Sequence, residues 1–310
     1  MSVRSRAAGA AFGILADAML GEPPDRLHPV GLFGSAMVGL ERRVWFDGRA
    51  RGAAYATAGV LAGGLAGLLV RSTGVATGVA VAGRLLGAEA TKVAAPLVAG
   101  DLEAARAQLP ALVGRRAAEL DATEIARATI ESVAENTVDA VVAPVLWAVV
   151  GGASGALAYR AVNTLDAMVG HHSERYERFG WASARLDDVM NWVPARATAV
   201  LVAMVRPRSA REVLRIVRRD SPPHPSPNSG VAEAAFAAAL GVRLGGVNRY
   251  GDRVEDRGTL GDGRPAEAVD IVSAVRLLRD VRIASAAVLA APAIITFAQS
   301  RARCRCQATR

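Results

Sequence analysis

Aromatic side chains make up 5% of this 310-residue chain, which holds two cysteines, four histidines and a single lysine, Lys92. Each shortage excludes something. The cysteines, Cys304 and Cys306, are separated by one residue, which is poor geometry for a disulfide, so a cross-linked secreted scaffold is out. They read as incidental thiols of a reducing compartment. The histidines are His28, the pair His171-His172, and His224; adjacent residues on a helix point apart and no His or Cys stands at zinc spacing, which argues against a zinc centre. Lysine's near absence means almost every cation is arginine, a coding bias that weakens arguments from any single guanidinium. There is no Gly-rich phosphate loop ending in Lys-Ser or Lys-Thr, no G-x-S-x-G elbow, and no G-x-G-x-x-G after a strand. A nucleotide, if bound, is bound through carboxylate-held magnesium and arginines.

Apolar residues fill 52% of the chain, charged ones 21%, and the net charge is +8. That apolar excess excludes disorder. Mean hydropathy is positive, +0.24, with a pI near 10.5. A basic and greasy chain points to a membrane before it points to nucleic acid. The apolar residues are mostly Ala, Val, Leu and Gly, which suits helices packed closely in lipid. Residues 53–70 are uncharged and 72–83 continue so after Arg71, which predicts an apolar helical hairpin over 53–95 turning near Arg71-Ser72-Thr73-Gly74. A second apolar run, 140–159, carries Pro144 and Gly151-Gly152, and a third, 283–300, predicts a C-terminal apolar helix. The start, Arg4 and Arg6 before 7–15, imitates a secretory signal, but Asp17 interrupts the cleavage site, so retention is expected.

The polar segments are 101–139, 159–196 and 206–281. Asp101 and Asp121 are placed to cap two amphipathic helices within 101–137. Residues 206–219 predict a basic amphipathic helix, solvated or lying on anionic headgroups. Prolines at 222, 223, 225 and 227 exclude helix interior there. A small-residue helix at 231–240, a Gly-rich loop at 241–264 and an amphipathic helix at 265–280 follow. No alternating strand pattern stands out, so the expected class is all-α: one polytopic membrane domain over 1–310 with amphipathic cytoplasmic helices and loops.

Five clusters carry chemistry. Glu131, Glu135 and Asp139 fall at i, i+4 and i+8 of a helix, with Ser132 and Asn136 flanking. Carboxylates in this array repel, and a hard cation such as Mg²⁺ shared with phosphates would relieve them. Asp139 also opens an apolar run, where an acid is expensive. Asn163 and Asp166 share a face with Arg160 one turn earlier. Asp187 or Asp188 shares a face with Asn191, between Arg185 and Arg196. His224, Ser226 and Asn228 stand on a proline-fixed loop, and residues 21–29, which include His28, form a second rigid polar turn.

These segments together resemble the CobD/CbiB family, the membrane-bound adenosylcobinamide-phosphate synthases. The resemblance rests on LADAMLGEPPDRLHPVGLFG at 15–34, ESVAENTVDAVVAP at 131–144, YRAVNTLDAMVG at 159–170, ERYERFGWASARLDDVMNWVPARATA at 174–199 and RDSPPHPSPNSGVAEAAFAAALGVRLGG at 219–246. It runs in order over nearly the whole chain. Departures are small: Ala140 and Ala167 stand where the family commonly has Gly and Ser, and His171-His172-Ser173 is an unusual version of its segment. The resemblance implies ligation of (R)-1-aminopropan-2-ol O-phosphate to adenosylcobyric acid, a corrinoid, with ATP and Mg²⁺. In that reading Glu131, Glu135, Asp139 and Asp166 hold Mg²⁺ and the ATP phosphates, and Asp187, Asp188 and Asn191 complete the shell or orient the amine. Arg160, Arg185 and Arg196 neutralise a phosphoryl or phosphate group. His224 accepts the ammonium proton, and Asn136, Asn163, Ser226, Asn228 and His28 bind substrate. It further implies a multi-pass protein of the cell membrane with its site facing the cytoplasm. Self-association, or association with other late cobalamin-pathway membrane enzymes, belongs to the same expectation, and nucleic acid does not. Two rivals are a non-catalytic AmpE-type signalling protein and a CDP-alcohol-type phosphotransferase, whose Asp-x-x-Asp-Gly opening is missing.

One tension remains within the sequence. Use of ATP asks 131–139, 159–196 and 219–230 to share one side, yet 140–158 lies between two of them. The run is therefore expected to be re-entrant or buried, as Pro144 and Gly151-Gly152 permit.

Overall fold

The computed structural model describes residues 1–21, 28–114, 118–171, 173–250 and 253–308, with side chains described except at 248–250, 253–254 and 292–308. Helix α1 (Val3–Leu20) leads into α2 (Pro29–Val44), where His28 is the N-cap and its ring accepts from Val30 N. The apolar stretch 53–95 is three helices rather than a two-helix hairpin: α3 (Arg49–Val70), α4 (Thr73–Ala80) and α5 (Gly83–Val98). The first turn falls where expected, at Arg71, which takes a left-handed conformation (φ 58°). A second break at Val81-Ala82 is invisible in a uniformly apolar run.

Helix α6 (Leu102–Gln108) is capped by Asp101, and α7 (Ala122–Thr137) by a reciprocal box in which Asp121 accepts from Glu124 N and Glu124 reaches back to Asp121 N. A wide helical turn at Val138–Val142 joins α7 to α8 (Ala143–Leu165), and a second, Asp166–Gly170, ends it. Then come α9 (Trp181–Val205), α10 (Ala210–Asp220) and α11 (Ser229–Leu240). The amphipathic 265–280 and apolar 283–300 segments are one helix, α12 (Ala268–Ala308).

Among the described residues two helical stretches are long and apolar enough to cross a membrane: α3, and the continuous run Ala122–Gly170. Helix α3 is 28% buried within its apolar window and shows Leu61, Leu65, Leu68 and Leu69 to the outside, unlike the core helix of a soluble protein. Its inner face is mostly glycine, at Gly52, Gly59, Gly63 and Gly67. A Cβ at Gly63 would lie 2.7 Å from Leu157 O, and one at Gly67 would lie 2.3 Å from Ser154 Cα. Backbone meets backbone along this stripe, the close approach that small residues permit.

The run Ala122–Gly170 is not a straight rod. Gly152 holds φ 65° and ψ −145°, open essentially to glycine alone, and α8 folds back on itself there. A Cβ at Gly155 would come within 2.2 Å of Trp147 O, across the fold. Tyr159 and Asp139 are 20 residues apart in sequence, about 30 Å along a straight helix, yet their side-chain oxygens are 3.4 Å apart. The backbone over 140–158 doubles back, the geometry that a re-entrant or buried run asks for.

The Gly-rich stretch expected as loop is instead a three-stranded sheet in the order β2-β1-β3. Strand β1 (Val242–Tyr250) pairs antiparallel with β2 (Arg253–Leu260), Leu244 opposite Leu260, and parallel with the short β3 (Arg264–Pro265). Val242, Leu244 and Leu260 are buried. The alternation escapes notice because a bulge between Gly245 and Val247 breaks it after two residues. The main core gathers α5, α7, α9, α10, α11, the sheet and the first part of α12. Helix α1 joins it through Asp17, whose Oδ2 accepts from Arg84 N and Arg282 Nη1, both at 3.2 Å.

Candidate active site

An open cleft of about 440 Å³ lies where α7, α8, α9 and the proline-rich loop before α11 converge. Its wall includes Glu135, Asp139, Asp166, Asp187, Asp188 and Asn191, with His224, Ser226 and Asn228 opposite. Four clusters scattered between residues 135 and 228 thus meet, and the fold-back at Gly152 is what brings the first two together.

The acids are held by short local bonds. Tyr159 donates to Asn191 Oδ1 at 2.8 Å, and Asn191 Nδ2 donates to Asp187 Oδ2 at 2.9 Å. Asp187 Oδ1 is buried and has no hydrogen-bond partner in good geometry among the described residues, with Asn163 lying against the carboxyl. Burial pushes the Asp187 carboxyl up to about 6, against the pull of the Asn191 bond. Asp188 is also raised by burial, with Arg185, 3.6 Å away, pulling it down. Gly170 also lines the cleft, and a Cβ there would sit 1.9 Å from Asp166 Oδ1, which leaves room only for glycine. Among the described residues no three Asp, Glu, His or Cys side chains converge enough to cage a metal ion alone.

Several expected site residues are elsewhere. Glu131 shares a helix face with Glu135 but is buried under the sheet, where it accepts from Gly245 N at 2.9 Å and pairs with Arg127 at 3.7 Å. It satisfies the amide freed by the β1 bulge. Asn136 donates to Ser132 O, one turn back, at 2.9 Å. His28 caps α2, and 22–27 of the same predicted turn lie outside the described residues, as does His172. Arg160 lines a separate apolar cavity of about 180 Å³ among α2, α3, α4 and α8. It reaches the acids only through Asn163, which accepts from Arg160 Nη1 at 3.2 Å and lies against Asp139 and Asp187. Arg185 is exposed beside Asp188. Arg196 stacks on Trp192, 4.3 Å from the ring centroid, and donates to Pro227 O and Asn228 Oδ1 at 3.2 Å. It latches the loop to α9.

The loop residues have positions the sequence did not predict. Ser226 Oγ accepts from Asn228 N and Ser229 N, capping α11, while Asn228 Nδ2 donates to Asp188 O at 2.8 Å. His224 lines the cleft, but its Nδ1 accepts from Ser226 N at 3.1 Å and its buried Nε2 faces Glu233 Oε2 at 3.9 Å. Burial lowers its basicity further. Both nitrogens are turned to the protein, which counts against His224 as proton acceptor. Sequence reading missed Ser229, which donates to Glu135 Oε1 at 2.7 Å, and the wall residues Glu255 and Arg257 from β2. It also missed Glu233, fully buried on α11, 3.6 Å from Arg257. The one available signal was spacing: Ser229 and Glu233 are one helical turn apart. The expected basic surface of α10 is partly spent on ion pairs, Arg215 and Arg219 both reaching Asp262.

Known proteins resemble the chain over most of its length. The profile of the family described as CobD/Cbib protein matches residues 10–278. A Mycobacterium tuberculosis protein named Cobalamin biosynthesis protein CobD is 48% identical over 300 residues, covering 93% of this chain and 95% of its own. Proteins of the same name are 42% identical in Geobacter metallireducens, covering 86% and 90%, and 42% identical in Rhodobacter capsulatus, covering 77% and 82%. No solved structure matches the chain.

Proposed function

The chain belongs to the CobD/Cbib family of cobalamin-biosynthesis proteins, and we propose that it is the ATP- and Mg²⁺-dependent ligase joining an amino-alcohol phosphate to the propionate of adenosylcobyric acid. The observation that carries the proposal is the convergence of Glu135, Asp139, Asp166, Asp187 and Asp188 on one cleft. At neutral pH a carboxylate is a poor electrophile and an alkylammonium a poor nucleophile. Transfer of the γ-phosphoryl group to the propionate oxygen gives an acyl phosphate and ADP. The amine lone pair then attacks the acyl carbon, the carbon–oxygen bond to phosphate breaks, and inorganic phosphate leaves.

One or two of Glu135, Asp139 and Asp166 would hold Mg²⁺ together with phosphate oxygens, since among the described residues no three acids converge enough to cage it. Bound there, it would neutralise phosphoryl charge during transfer. Asp187, which lines the cleft with a carboxyl raised by burial to about 6, is the base that takes the ammonium proton in this reading. Asn191 and Tyr159 hold it in place. The fold-back at Gly152 supports a membrane-bound arrangement in which α3 crosses the bilayer and the whole cleft faces the cytoplasm and its ATP. Incubation of the purified protein with ATP, Mg²⁺, aminopropanol phosphate and adenosylcobyric acid yields adenosylcobinamide phosphate on this reading. Absence of that product from folded protein would refute it.

A further inference from the structure

The cleft wall is acidic, with Glu135, Asp139, Asp166, Asp187, Asp188 and Glu255 all contributing; among the described residues Arg257 is the one arginine that lines it. Arg257 comes from β2, in the stretch that sequence alone reads as loop. Its Nε donates to Glu255 Oε1 at 2.9 Å and its Nη1 is 3.6 Å from Glu233 Oε1. Glu233 has no exposed surface, whereas Arg257 keeps 20% of its side chain exposed. Arg257 thus lines the cleft with a fully buried carboxylate beside it. Helix α11 also sets how far that fork stands from the acids. Ser229 binds Glu135, and one turn later Glu233 binds Arg257.

We infer that Arg257 is the phosphate-binding residue for the amino-alcohol phosphate, a role that rests on the ligase reading. That substrate is a zwitterion. Its ammonium suits the acids around Asp187, while its phosphate is repelled by the same acids and needs a cation set apart from them. Arg257 supplies a planar fork that matches phosphate oxygens. Arg160, Arg185 and Arg196 are excluded by position, the first lying in an apolar cavity and the other two outside the wall. Glu233 is then a positioning residue that acts through Arg257.

The competing account is that Arg257 only neutralises the buried Glu233. The test is equilibrium binding to the purified full chain, by calorimetry with Mg²⁺ present, of 1-aminopropan-2-ol O-phosphate and of phosphate-free 1-aminopropan-2-ol. Wild type prefers the ester. Arg257→Gln weakens the ester about 10- to 100-fold and leaves the phosphate-free amine unchanged. Arg257→Lys, which keeps the charge beside Glu233 if the Gln variant does not fold, weakens the ester by less. The double variant Glu233→Gln with Arg257→Gln does not recover ester binding. The inference is overturned if wild type shows no preference for the ester, if Arg257→Gln or Arg257→Lys weakens both ligands alike, or if the double variant restores the ester. Because binding is read without turnover, a protein that binds the ester through Arg257 but forms no amide would sink the ligase reading and leave this one standing.

Discussion

Helix α8 takes part in two interfaces built from opposite materials. Beyond Gly152 it packs on α3 through glycine against backbone, with Leu157 O and Ser154 Cα where side chains would otherwise stand. On its other side Tyr159 and Asn163 meet Asp139, Asp187 and Asn191, where carboxylates are half-buried and one oxygen of Asp187 has no hydrogen-bond partner in good geometry among the described residues. The first interface is fixed by shape alone and tolerates no added atoms. The second holds charge that folding disfavours, the pattern expected where chemistry rather than stability is served. The same helix serves both because its fold-back returns it to the acids of α7 while its outer face stays apolar.

The sharpest way to separate the two is to neutralise Asp187. Asp187→Asn is expected to lower the rate of ligation about 10²- to 10⁴-fold without harming the fold. It should stabilise the protein at high pH. The folded carboxyl, near 6, holds its proton more tightly than an unfolded one near 4, so wild-type stability falls as pH rises through that window and stays reduced above it. The variant escapes this loss, by on the order of 1–3 kcal/mol at pH 8 and by nothing at pH 3.5. Thermal melts at the two pH values check it; equal shifts at both would contradict the assignment.

Gly67→Val attacks the other interface. Its Cβ would meet the Ser154 backbone at 2.3 Å, and no rotamer avoids backbone, so a loss of about 3 kcal/mol or more is expected, with catalysis intact in whatever remains folded. A drop in rate per folded molecule would show that the interfaces are not separable. Gly152→Ala, at φ 65°, is expected to cost about 1–3 kcal/mol and, unlike Gly67→Val, to lower activity per folded molecule by moving Tyr159 from Asp139. Smallest is Gly170→Ala, which displaces Asp166 and should weaken the Mg²⁺ requirement's midpoint by about tenfold at most, with little change in melting.

Much of the acid side was legible in the sequence, because i, i+4 spacing and helix caps are local facts. Asp101 and Asp121 cap as read, and Glu135, Asp139, Asp166, Asp187 and Asn191 reach one cleft. Spacing gives a face without saying what covers it. Glu131 and Glu135 share a face, yet one lies under the β1 bulge and the other in the wall. Glu233 and Arg257 sit in an alanine-rich helix and a charged strand, and only tertiary packing brings them together. The small-residue character of α3 was visible, but not which of its glycines touch α8.

The central claim is that 140–158 folds back rather than crosses. Glu119 and Glu174 are exposed on either side of it, so single cysteines there, in a chain with Cys304 and Cys306 replaced by serine, report its topology directly. A membrane-impermeant maleimide applied to intact cells and to inverted vesicles is expected to label both positions only from the cytoplasmic face. Labelling of the two from opposite faces would contradict the account.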